Sequence, residues 1–140
     1  MKILIILSFL ALRAYCPEQR CLYIEKVSQI KPYEAIWAAI CTHESGNNRY
    51  AYHMEKDGWP AVGIAQIRWD RLKDYNQNTG HHYQMKDMYD PGISKKIFTF
   101  YAHQIGPYRP EKIIRCWNGG PNGMKIKQTY KYYLNVKKLL

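Results

Sequence analysis

Apolar residues along the chain come in blocks separated by polar, turn-rich stretches. The run from Tyr33 to Thr42 is apolar on nearly every side, which predicts a helix buried at the centre of a domain. Pro32 opens it and Gly46 ends it, as a glycine just past a helix does. Ahead of it, residues 18–30 predict a first helix, with Leu22, Ile24, Val27 and Ile30 as core contacts. Residues 47–62 carry Asn47-Asn48, Asp57-Gly58 and Pro60, and read as a short hairpin or irregular lobe. Ile64 to Tyr75 is helix-compatible, and residues 76–92 are loop-like up to Asp90-Pro91-Gly92. Helices follow from Ser94 to Ile105, from Pro110 to Trp117, and from Lys125 to Leu140. The last has Ile126, Leu134 and Leu139 as its expected apolar side and lysines in its closing turn, where they suit the helix dipole. The predicted fold class is mainly α, with one small irregular or β lobe after the central helix.

The extreme N-terminus follows a different pattern. Met1-Lys2 precedes ten residues, Ile3 to Leu12, of which only Ser8 is not apolar. Spanning a bilayer core takes roughly 20 residues, whereas a positive start and a short apolar run match a secretory signal. Residues 1–15 are therefore expected to be a signal peptide or a weak membrane anchor, with one domain over 16–140. The expected destination is the periplasm, the cell envelope or the exterior. Export permits disulfides, and Cys16 and Cys21 are close enough to pair locally. Cys41 and Cys116 lie in apolar helical runs and read as core thiols. No C-x-x-C occurs, which disfavours a zinc ribbon or a redox motif.

At 140 residues the chain fits one compact domain, and a hydrophobic fraction of 46% supports a real core. Lys and Arg number 21 against 11 Asp and Glu, giving a net charge of +10. Such an excess attracts polyanions and leaves nucleic acid, anionic lipid headgroups and an acidic cell wall all open. The 13 Tyr and 4 Trp suit a groove that stacks flat faces against rings.

Glu44 is the most unusual charge. It closes the most hydrophobic helix, just before Gly46. Apolar surroundings, the negative end of the helix dipole and the lack of a Lys or Arg in the preceding turn and a half all disfavour its carboxylate. A carboxyl so placed keeps its proton to higher pH, as a general acid for glycoside cleavage must. His43-Glu44 also begins like a zinc-protease signature, but Asn47 stands where the second His belongs. His53, His81, His82 and His103 show no companion metal spacing, so no metal and no cofactor are expected. A Cys41–His43 dyad is disfavoured because side chains two apart on a helix point different ways.

Four motifs occur in order: His43-Glu44-Ser45-Gly46-Asn47, then Ala61-Val62-Gly63-Ile64-Ala65-Gln66-Ile67, then Cys116 through Gly123 (CWNGGPNG), then Gln128-Thr129-Tyr130-Lys131-Tyr132. The series resembles the soluble lytic transglycosylase family of the lysozyme-like superfamily. That family reads Glu-Ser, Gly-Leu-Met-Gln, Ala-Tyr-Asn-x-Gly-Pro and Glu-Thr-x-x-Tyr, with an Asp-Pro like Asp90-Pro91 after the glutamine motif. Departures are Ala65 for Met, Cys116-Trp117 for Ala-Tyr, and Gln128 for Glu. They bear on substrate preference more than on the acid.

The resemblance implies a lysozyme-like α-helical domain with Glu44 as sole catalytic carboxylate. It makes Ser45, Gly63, Gln66, Asn118 and Tyr132 substrate-cleft residues. Trp117 reads as core rather than as a sugar platform, and Trp59 and Trp69 are left unassigned. The implied activity is non-hydrolytic cleavage of the bond from N-acetylmuramic acid to N-acetylglucosamine in peptidoglycan, leaving 1,6-anhydro ends. The implied partners are glycan strands, not nucleic acid. An envelope-spanning machine or a phage lysis context suits such an enzyme, and no partner motif is visible. The rival is a hydrolase resembling goose-type lysozymes, in which Asp57, or less readily Glu55, positions a water. A non-catalytic wall- or nucleic-acid-binding module would use the charge but leave the motif series unexplained.

Overall fold

Five α-helices and a three-stranded antiparallel sheet make up the described part of the chain, which in this computed structural model is residues 33–140. The expected export segment, the expected helix over 18–30 and the pair Cys16 and Cys21 lie outside the described residues. No helix among the described residues is long and apolar enough to cross a membrane.

Helix α1 (Glu34–Ser45) buries Ile36, Trp37, Ala39, Ile40 and Cys41 along one side, with Trp37 packed on Phe98 at 5.4 Å between ring centroids. It is not enclosed on every side as its composition suggests, because Ala35, Ala38, Thr42 and His43 are exposed on the other: small alanines read as apolar whether or not they are covered. Glu34 in its first turn is anchored by Lys95, Nζ to Oε2 at 2.6 Å. Gly46 stops it at φ 60°, a left-handed backbone that glycine adopts without penalty. The Gly46 and Asn47 N–H groups then satisfy the Thr42 and Cys41 carbonyls at 3.0 and 3.2 Å.

Strands β1 (Tyr52–Met54), β2 (Pro60–Val62) and β3 (Ile67–Arg68) pair in sequence order. Tyr52 faces Val62, His53 faces Ala61, and Val62 in turn faces Ile67. The expected hairpin lobe is thus a small sheet. The expected helix from Ile64 to Tyr75 is not formed as such. Residues 63–66 are a turn, Ile67 is a buried strand residue, and α2 runs Trp69–Thr79. The turn requires left-handed backbone at Gly63 and Gln66, φ 82° and 49°, which breaks a helical path. Ile64, Ile67, Leu72 and Tyr75 had mimicked one apolar stripe, but Ile67 is buried by the sheet.

The loop-like stretch 76–92 is also partly helical, since α2 reaches Thr79 and Met85–Tyr89 form a 3-10 turn that buries Met88. Helix α3 (Pro91–Ile105) is started by Asp90, whose Oδ1 accepts from the Gly92 and Ile93 N–H groups at 2.7 and 3.3 Å. Pro91 occupies the first helical position, where its missing N–H costs nothing. Helix α4 (Pro110–Gly119) continues into a second 3-10 turn (Gly120–Lys125), and α5 (Lys127–Lys137) closes the domain. Arg115 ties these last pieces together. Its guanidinium reaches Glu111, the Met124 and Ile126 carbonyls and the Thr129 hydroxyl.

Helix α5 corrects a second expectation. Its buried or half-buried side consists of Thr129, Tyr132, Tyr133 and Val136, while Ile126, Leu134 and Leu139 are exposed at 36%, 40% and 46%. The aromatic and β-branched residues, spaced three and four apart, set the face rather than the long aliphatic ones. Cys41 is buried as expected, but Cys116 is only half-buried; both are free thiols.

Candidate active site

Glu44 lies on the last turn of α1, where the central helix leaves the core and meets the sheet lobe. The same burial that makes α1 hydrophobic desolvates the carboxyl and raises its pKa above the ordinary carboxylate range. The negative charge of Glu55 raises it further, while a hydrogen bond from Tyr132 and the charge of Arg71 act in the opposite direction. The Tyr132 hydroxyl donates to Glu44 Oε1 at 2.6 Å, from α5, which packs against α1. Burial and the adjacent carboxylate keep that phenol protonated, so its role in the pair is donor. The Tyr132 ring stands edge-on to His43 at 4.9 Å, which fixes its direction.

Ser45, Gly63 and Gln66 form one connected piece beside the carboxyl. The Ser45 hydroxyl is 2.7 Å from the Ile64 carbonyl and 3.2 Å from that of Cys41. Its single proton serves one of them at a time, so it ties the end of α1 to the turn after β2. Gly63 lets that turn press against the next layer, because a Cβ there would overlap the Met88 carbonyl. Gln66 holds a left-handed backbone although it is not glycine, and its Nε2 donates to the Gly63 carbonyl at 2.9 Å. Strain of this kind is kept where surrounding contacts fix it, often at functional sites. Its amide oxygen has no hydrogen-bond partner among the described residues.

Asn118 is exposed near the end of α4 and makes no hydrogen bond with Glu44. Its place is set by Arg71, which lay outside the sequence reading. The Arg71 guanidinium is 2.7 Å from the Trp117 carbonyl and 3.3 Å from that of Cys116. It is sandwiched between the Trp117 and Tyr101 rings, 4.4 and 4.8 Å from their centroids. A cation on helix-end carbonyls is favourable on both hydrogen-bond and dipole grounds. Only the exposed-looking sequence Asp70-Arg71 preceded it, and nothing in that spacing signals a buried arginine. Trp117 itself is buried core, as expected.

The two acids of the lobe differ in environment. Asp57 is exposed, accepts from the Trp59 N–H at 3.2 Å and is ion-paired with Arg68. The Trp59 hydrogen bond first, and Arg68 after it, hold its carboxyl below the usual range. Glu55 is half-buried, and its N–H closes the hairpin on the Trp59 carbonyl at 3.1 Å. It is the lobe acid whose charge reaches Glu44. Trp59 and Trp69 are exposed and stacked on each other, 6.0 Å apart and 13° from parallel.

A cavity of about 540 Å³ opens on the far side of Arg71, between α2, α3 and α4. Tyr101, Trp117, Asp74 and Lys112 line it, and none of Glu44, Gln66, Asn118 or Tyr132 does. Glu44 and the motif residues around it therefore lie outside that cavity. No group of three His, Cys, Asp or Glu side chains suited to a metal ion occurs among the described residues.

The arrangement can hold a proton on Glu44 to higher pH than an ordinary carboxyl, give it to a bound acceptor, and stabilise the resulting carboxylate through Tyr132. Comparison of the chain with protein-family models, with curated proteins and with solved structures found no match.

Proposed function

We propose that this chain is a peptidoglycan lytic transglycosylase of lysozyme-like architecture, exported by its first 15 residues, with Glu44 as catalytic acid and base. One contact carries the reading. Glu44 and Tyr132, the first and last motifs of the series and 88 residues apart, meet in a 2.6 Å hydrogen bond at a desolvated carboxyl.

Protonated Glu44 donates to the oxygen linking the muramyl C1 to the next sugar, and that C1–O bond breaks. The substrate's own acetamido group stabilises the cationic centre, a route that dispenses with a second enzyme carboxylate. Glu44, now a carboxylate, takes the proton of the muramyl 6-hydroxyl as that oxygen bonds to C1. The product is a 1,6-anhydro end and no water is consumed. Burial favours the protonated acid before the first step, and the Tyr132 hydroxyl limits the cost of the anion after it. Gln66, its Nε2 held on the Gly63 carbonyl, offers a free amide oxygen to the strand, and Asn118, beside the carbonyls that Arg71 anchors, offers its amide.

A hydrolytic reading has one observation in its favour: Glu55 is half-buried and its charge is felt by Glu44. In that case Glu55 would hold the water. Asp57 is less suited, being turned to Trp59 and Arg68.

Purified Glu44→Gln protein tests the proposal. It should keep the wild-type circular dichroism spectrum and lose about 10²- to 10⁴-fold in clearing a peptidoglycan suspension. Substantial residual clearing would show that the acid lies elsewhere.

A further inference from the structure

The chain's acids all lie at or before Glu111, whereas Lys112, Arg115 and five lysines from Lys125 to Lys138 follow it. Arg115 is buried and paired with Glu111 at 2.9 Å. The five lysines have no ion-pair partner among the described residues. Two of them, Lys125 and Lys127, sit at the start of α5, where the helix dipole disfavours a cation. No side chain caps that end to compensate.

The outward side of α5 is not merely charged. Lys127, Tyr130, Lys131, Leu134 and Lys138 are spaced to share one face, opposite the face that carries Tyr132 and Val136. All five are exposed, with Tyr130 at 47% and Leu134 at 40%. Met124 and Ile126 precede them and Leu139 and Leu140 follow, exposed as well. Lysines thus alternate with apolar side chains that the domain covers only in part.

We propose that this outer face of α5 docks the protein on an anionic lipid bilayer. Charge complementarity selects an anionic partner, and the apolar residues select among anions. Met124, Leu134, Leu139 and Leu140 can enter the boundary between headgroups and acyl chains, with Tyr130 at headgroup level. A nucleic acid backbone could neutralise the lysines but offers these aliphatic groups nothing. The helix would lie between the bilayer and Glu44, because its inner face is the one that holds Tyr132 against that carboxyl.

Co-sedimentation of the full chain with vesicles tests this. One set contains phosphatidylcholine alone, the other phosphatidylcholine with phosphatidylglycerol, both near 0.1 M salt. Binding through an N-terminal apolar segment would occur with both sets, so the difference between them is the readout. The expected result is stronger binding to the phosphatidylglycerol vesicles. Lys127→Gln, Lys131→Gln and Lys138→Gln combined should weaken that difference on the order of 10²-fold, roughly fivefold per lysine. Leu134→Ser alone should weaken it roughly tenfold. Every substituted side chain is exposed, so circular dichroism should be unchanged. Equal binding to both vesicle sets, or no effect of the triple substitution, overturns the proposal. So does a lysine-dependent surface that binds a DNA duplex equally well and ignores Leu134→Ser, because it would be a general polyanion site.

Discussion

A carboxyl that must first give a proton and then take one back needs two opposed influences, and Glu44 has both. Desolvation at the end of α1 favours the neutral acid, and the Tyr132 hydroxyl favours the anion. The balance gives a signed prediction. Removing the donor in Tyr132→Phe raises the Glu44 pKa further, so the acid stays protonated to higher pH. The alkaline limb of the clearing-rate profile should then move upward in pH, while the maximal rate falls about tenfold or more, the scale of a hydrogen bond to a charged group. A limb that moves downward would mean that Tyr132 does not stabilise the carboxylate. At this scale the sequence was informative where one chemical type was out of place. Glu44 stood out because it follows the unbroken apolar run Ala35 to Cys41 on the same helix. Arg71 did not, since its burial depends on Tyr101 and Trp117, residues 30 and 46 positions away.

At the scale of elements, the turn between β2 and β3 ties the end of α1 to the layer that carries Met88. Gly63 has φ 82° and no room for a Cβ against the Met88 carbonyl. Gly63→Ala should cost about 2 kcal/mol or more, combining left-handed strain with backbone displacement. Thermal unfolding should show a midpoint lower by roughly 10 °C; an unchanged midpoint would mean that the turn relaxes freely. The lobe acids separate the two chemistries. With the muramyl hydroxyl as nucleophile, Asp57→Asn should be nearly silent, since Asn keeps the turn contact to Trp59. Glu55→Gln should remove a like charge and lower the Glu44 pKa, moving the alkaline limb down without abolishing clearing. A loss of about 10²-fold or more in either variant would identify a general base for water.

Elements closed by local chemistry were legible: α1 by Gly46 and the lobe by Asp57-Gly58. The start of α3 was expected at Ser94, three residues late, because Asp90-Pro91-Gly92 has the composition of a turn although Asp90 caps the helix and Pro91 fills its first position. Elements fixed by tertiary contact were not legible. Ile67 reads as helix until β2 is beside it, and Leu134 reads as core until Tyr132 and Val136 are seen to occupy that side.

For the molecule as a whole, two kinds of organisation coincide. The motif series runs from α1 through the sheet lobe to α4 and α5, and the folded chain joins its first and last members at one carboxyl and its first and second through Ser45. Ser45 reaches Ile64, Gln66 reaches Gly63, and Tyr132 reaches Glu44. Asn118 alone depends on a separate anchor, Arg71. The other organisation is electrical: acids are confined to the part before α4's second turn, and the closing helix is purely basic. That asymmetry is visible in sequence, whereas its combination with an exposed apolar face is not.

The central claim is that Glu44 transfers both protons and that the attacking oxygen belongs to the substrate. Mass spectrometry of peptidoglycan fragments released by the wild-type protein tests it most directly. Muramyl ends lighter by one water, the 1,6-anhydro form, should appear from the earliest time points. Hydrated reducing ends, with anhydro ends absent, would contradict it and assign the nucleophile to water.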